Sequence, residues 1–72
     1  HGEDSRAMDR AAAFELARRK RLGAFNTDAA KRAERRDKDM AALARRGFGY
    51  DICRAVVEAS DPDELADRFE LS

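Results

Sequence analysis

Nearly half of the apolar residues in this chain are alanine, 15 of 31, which leaves only 16 larger apolar side chains to build a core. Seventy-two residues supply one small domain at most, and a core this poor in bulk suits helices that approach closely. Leu, Ile, Val and Phe together make 12 of 72 residues, at the compositional edge of disorder. The other mark of disorder, a large net charge, is missing, because 15 basic and 15 acidic residues cancel. Alanine with abundant Arg, Glu and Lys and a single Pro favours helix, since these side chains lose little rotamer freedom there. The expected class is all-α.

The same composition excludes several functions. No apolar run approaches the length of a membrane span. One Cys forms no internal disulfide, and one His leaves no set of zinc ligands. The lone thiol fits a reducing compartment, and a cytoplasmic location is expected. The chain opens His1-Gly2-Glu3-Asp4-Ser5 without Met, so residues 1–5 are read as a tag scar or a disordered end, and the chain as a fragment or processed product.

Charge that cancels in total is segregated along the chain. Residues 6–54 carry 14 Lys or Arg against seven acids, whereas residues 55–72 carry Arg68 against six acids. A basic body and an acidic tail bear on partners rather than on fold.

Periodicity and caps predict three helices and a short fourth. The first runs from about Arg6 to Leu22, with Met8, Ala12 and Leu16 recurring every four residues and Ala11, Phe14 and Ala17 beside them. Arg18-Arg19-Lys20-Arg21 fall at its C-terminal end, where the helix dipole favours cations, and Gly23 is placed to terminate it. Asn26-Thr27-Asp28 offers a cap for a second helix to Arg46, with Ala29, Ala33, Met40, Leu43 and Ala44 as its apolar stripe. Arg46-Gly47-Phe48 reads as a helix stop in which Gly47 is left-handed and Phe48 folds back. A third helix follows from Gly49 or Tyr50 to Ala59, with Ile52, Ala55, Val56 and Ala59 on one face. Asp61-Pro62-Asp63-Glu64 combines an N-cap, a proline at the first helical position and an acid three residues on, and starts the fourth. The expected organisation is a three-helix domain over 6–59 and a short acidic helix or tail over 60–72.

No catalytic constellation emerges. Cys53 lies by the apolar face of the third helix and reads as a small buried hydrophobe, with no internal His to activate it. His1 reads as tag or fragment debris. Asp61, Asp63 and Glu64 are explained by capping. No metal, cofactor or catalytic residue is expected, and the chain reads as a non-enzyme.

The basic runs carry more. Arg outnumbers Lys twelve to three, and guanidinium grips carboxylates or phosphates with two parallel hydrogen bonds. The residues expected to contact acidic protein surface or DNA phosphate are Arg18, Arg19, Arg21, Arg32, Arg35, Arg36 and Arg45. The opposing reading is a solvated helix surface balanced by its interleaved acids. A helix-turn-helix over Met40–Ala59 fits the turn, but its second helix would offer only Arg54 to a groove, so base readout is not expected.

The segment Asp39-Met40-Ala41-Ala42-Leu43-Ala44-Arg45-Arg46-Gly47-Phe48-Gly49-Tyr50-Asp51-Ile52-Cys53-Arg54-Ala55-Val56-Val57 resembles the RecX regulatory family, which carries a leucine, an Arg-Gly-Phe turn and an apolar-spaced helix. Arg18 to Phe25 looks like the end of the first helix of a late repeat, with Ala24 where that family has proline and Gly49 where it often has serine. The resemblance covers about residues 8–59 and implies one three-helix repeat of a tandem array, a carboxy-terminal fragment. It implies a regulatory protein that binds RecA recombinase filaments on DNA and inhibits their ATPase and strand exchange, in DNA repair, recombination and the SOS response. Gly47, Phe48, Ile52 and Val56 carry over as structural positions. Two other readings stay open: an independent module binding single-stranded DNA through phosphates, and a structural or oligomerisation domain. Oligomeric state is left open.

Overall fold

The computed structural model describes residues 2–71, with side chains described from residue 7. His1, read as tag or fragment debris, lies outside the described residues. Among them the chain is all-α, with four helices: α1 (Gly2–Lys20), α2 (Ala29–Arg45), α3 (Tyr50–Glu58) and α4 (Pro62–Arg68). A 3₁₀ turn over Gly23–Phe25 joins α1 to α2. No helix is long and apolar enough to cross a membrane among the described residues.

The short α3 is the hub. Both α1 and α2 pack mainly against it rather than against each other, and α4 closes on α3 and on the 3₁₀ turn. The core gathers Ala13, Leu16 and Ala17 of α1, Leu22 and Ala24 of the connection, Leu43 of α2, Ile52, Cys53 and Val56 of α3, Ala59, and Leu65 and Phe69 at the C-terminal end. Small residues let α1 lie close to α3, and Phe14 meets Phe25 edge to face at 5.0 Å on the flank of that contact. Leu65 is fully buried and Phe69 nearly so, which packs the acidic C-terminal segment onto the domain.

Two helices present faces other than those their stripes suggest. In α1, Met8 is 71% exposed and Ala11 and Ala12 are exposed, while the buried set is Ala13, Leu16 and Ala17. Length explains it: at about 1.5 Å per residue the nine residues of α3 cover only half of a nineteen-residue partner. In α2, Ala29, Ala33 and Ala44 are exposed, and the inward line runs through Arg32, Arg36, Asp39 and Leu43. This too is a helical stripe, but it is chosen by polar groups rather than by alanines.

The connections follow local rules. Asp28 caps α2, its Oδ1 accepting from the N–H groups of Ala30 (3.0 Å) and Lys31 (3.1 Å). Asp61 caps α4 through the Glu64 N–H at 2.8 Å, with Pro62 in the first turn. Glu64 reaches back to the N–H of Ser60 at 3.2 Å, one residue before the cap, so the reciprocal half of the box is displaced by one position. Gly47 ends α2 at φ 94°, as expected, and Phe48 is half-buried against the core.

The end of α1 differs from expectation. The residue that terminates it is Arg21, at φ 55°, and the Leu22 N–H returns to the Ala17 carbonyl at 2.9 Å. Gly23 is therefore not the helix terminator. It takes a second left-handed conformation, φ 50°, and presses its backbone against α3. A Cβ there would stand 2.5 Å from the Val56 carbonyl oxygen.

Candidate binding surface

Asp39 is the one fully buried charged residue among those described, 1% exposed, on a helix whose other acids face water. Its Oδ2 accepts from the Gly23 N–H at 2.9 Å, across 16 residues of sequence. Its Oδ1 makes no hydrogen bond among the described residues and faces the Arg35 Nε at 3.7 Å. A buried carboxylate is costly unless it is bonded. Here it satisfies a backbone donor that the left-handed turn would otherwise strand in the core. This ties α2 to the 3₁₀ turn and fixes how α2 is rotated.

The rotation decides the fate of the arginines. Arg32, turned inward, donates to the Ser60 carbonyl at 2.7 Å, and Arg36 meets Glu58 at 3.2 Å. Glu58 also accepts from Arg54 at 2.8 Å, and hydrogen bonding to Arg54 first, then to Arg36, holds its carboxyl below the usual range. These two arginines clasp α2 to the end of α3. On α1, Arg18 pairs with Glu15, whose carboxyl this bond lowers. Arg35 pairs with Asp39 at its margin.

Of the seven arginines singled out from sequence, Arg19, Arg21 and Arg45 have no carboxylate within 4 Å among the described residues. They stand near the C-terminal ends of α1 and α2, and residues of both ends line one groove. Between these ends lies a groove of about 290 Å³, floored by Leu16, Leu22 and Ala42 and rimmed by Lys20, Arg45 and Arg46. Lys20 and Arg46 were not among the expected contacts. Their places at the C-terminal ends of α1 and α2 were legible in the sequence, but their meeting in one groove was not, because the connection between the helices joins the end of α1 to the start of α2. Arg32 and Arg36 lie away from this groove, held in internal contacts.

A second, more apolar groove of about 250 Å³ lies between α2 and the start of α3, lined by Met40, Ala41, Ala44, Phe48, Tyr50 and Cys53. Burial pushes the Cys53 thiol up, against a smaller lowering by its backbone hydrogen bond, and its sulfur lies 3.7 Å from the Phe48 carbonyl oxygen. A thiol held protonated in this way is a poor nucleophile. Ile52 and Val56, expected as structural positions, are both in the core. No group of His, Cys, Asp or Glu among the described residues is placed to hold a metal.

The chain is similar to the regulatory protein RecX of Myxococcus xanthus (strain DK1622), at 48% identity over 44 residues, 61% of this chain. The match covers 24% of that protein, so the chain spans about a quarter of the relative's length. That relative carries the name of the family that the sequence resembles. No family model matches the chain, and no solved structure gives a significant match.

Proposed function

We propose that this chain is a non-catalytic regulatory module that binds RecA-type recombinase filaments and inhibits them, in the cytoplasm, as part of DNA repair, recombination and the SOS response. The observation that carries this reading is the similarity to a RecX regulatory protein over 44 residues. The unpaired cations at the ends of α1 and α2 support it. On this reading Arg19, Arg21 and Arg45 meet acidic protein surface or DNA phosphate along the filament. Arg18 joins them by giving up its solvent-screened ion pair with Glu15, and Arg35 by turning its exposed guanidinium outward from the margin of the buried Asp39. Arg32 and Arg36 serve by keeping α2 in register. A rigid basic module seated in a filament groove obstructs subunit motion and strand exchange both sterically and electrostatically.

The test is co-sedimentation with RecA filaments on single-stranded DNA, alongside the same DNA bare, with ATP hydrolysis followed in parallel. The expected result is preferential binding to the filament and a fall in its ATPase rate. Equal affinity for filament and bare DNA would instead favour a phosphate-binding module. The basic excess of residues 6–54 favours that second reading, which requires affinity that falls steeply with salt. Binding to neither, with a concentration-dependent dimer in sedimentation, would leave a structural role.

A further inference from the structure

We propose that the groove between the ends of α1 and α2 is a docking site for an acidic peptide segment carrying one bulky apolar side chain. The inference rests on the groove itself and stands apart from the recombinase reading.

Size comes first. The groove of about 290 Å³ is open to solvent along one side, so a leucine-sized side chain can be laid into it from outside. The floor is Leu16, Leu22 and Ala42, aliphatic throughout. Charge comes second. Two helix C-termini converge at this site, each equivalent to roughly half a negative charge, which alone would repel an anion. Lys20, Arg45 and Arg46 bring three positive charges, so the rim stays clearly cationic after both helix ends are offset. None of the three has a carboxylate within 4 Å among the described residues.

The floor also separates the two macromolecular classes that a cationic rim attracts. Single-stranded nucleic acid gains its sequence-tolerant affinity by stacking bases on aromatic rings, and this groove has no aromatic ring in its lining. An aliphatic floor inside a cationic rim complements a peptide whose carboxylates flank an apolar anchor, with guanidinium groups gripping carboxylates bidentately.

The experiment uses the whole chain and fluorescence anisotropy with three labelled probes: a nonapeptide of glutamates around a central leucine, the same peptide with a central serine, and oligothymidylate of equal charge. At about 0.15 M ionic strength, the leucine peptide is expected to bind about tenfold more tightly than the serine peptide and more tightly than the oligothymidylate. Arg46→Ala, at an exposed position, should weaken it about fivefold, and Ala42→Phe, which fills the groove, should abolish it. Lys31→Ala, some 20 Å away along α2 by helical rise, should change it less than about twofold. Equal binding of the two peptides, tighter binding of oligothymidylate, equal loss from Lys31→Ala, or no binding of either peptide at millimolar concentration would each overturn the proposal. Because no recombinase is present, a failure here is independent of the filament-binding result.

Discussion

At Gly23 two requirements fall on one residue: a left-handed backbone and contact with the backbone of α3. Gly23→Ala places a Cβ 2.5 Å from the Val56 carbonyl oxygen and 3.0 Å from the Val57 Cα, and neither belongs to a side chain that can swing aside. The substitution is expected to cost about 3 kcal/mol or more, combining overpacking with backbone strain. For a domain with so small a core, the readout is loss of a cooperative urea transition. Arg21, two residues earlier, has the opposite prospect. It ends α1 at φ 55° with a side chain that pays the steric cost of that region and makes no ion pair among the described residues. Arg21→Gly should therefore raise stability by up to about 1 kcal/mol, seen as an increased Tm. The distinction between the two positions was not legible in the sequence. A glycine after a basic run looks like a helix terminator, and only the tertiary approach of α3 shows why glycine is needed two residues later. Gly47, Asp28 and Asp61 could be read correctly because each acts on its own neighbours in the chain.

Among the elements, α2 departs furthest from its sequence pattern. Alanine is small enough to lie in or out, so the Ala29, Ala33 and Ala44 stripe has little hold on orientation. Three polar contacts hold it instead: Asp39 to the Gly23 N–H, Arg32 to the Ser60 carbonyl, and Arg36 to Glu58. Their partners are 16, 28 and 22 residues away, out of reach of any local rule. That is why charge counted along the sequence overstates the free cations: four of the seven arginines have partners within the fold, and two of them, Arg32 and Arg36, hold α2 in place. α3 was legible almost to the residue because its apolar residues are large. The α2–α3 clasp also gives a pH signature. Arg54 and Arg36 lower the carboxyl of Glu58, so its contribution is present above the unfolded carboxylate range near pH 4.5 and is lost as pH falls through the lower folded value. Glu58→Gln should remove that part of the acid limb, and comparing urea midpoints between about pH 3 and 7 checks it. A parallel loss at every pH would show that the pair acts only through packing.

For the molecule as a whole, alanine abundance did predict a thin core of closely set helices, and the alanine contact of α1 with α3 bears that out. What the composition could not convey is that α1 outreaches its partner, leaving Met8 in water while Leu16 is buried. Cys53 offers a measure of how securely so small a core is closed. It is 1% exposed and its thiol is held protonated by burial, so reaction with a disulfide reagent at about pH 8 should be slow in native conditions and fast in urea. If the native rate follows urea concentration with the slope of the unfolding transition, the core opens only globally. A rate insensitive to urea would place the opening in the turn over Phe48. The short chain separations within each helix and the helix-only topology also favour rapid folding.

The bond between the Gly23 amide and Asp39 makes one proton a gauge of helix docking. That hydrogen is sealed between a carboxylate of α2 and the backbone of α3, so solvent reaches it only when α2 lifts away. In a deuterium-exchange experiment, its lifetime reports the opening of this one joint separately from the fraying of helix ends. Asp39→Asn, which keeps an acceptor of similar shape without the charge, would distinguish how much of that lifetime comes from the ion and how much from the seal around it.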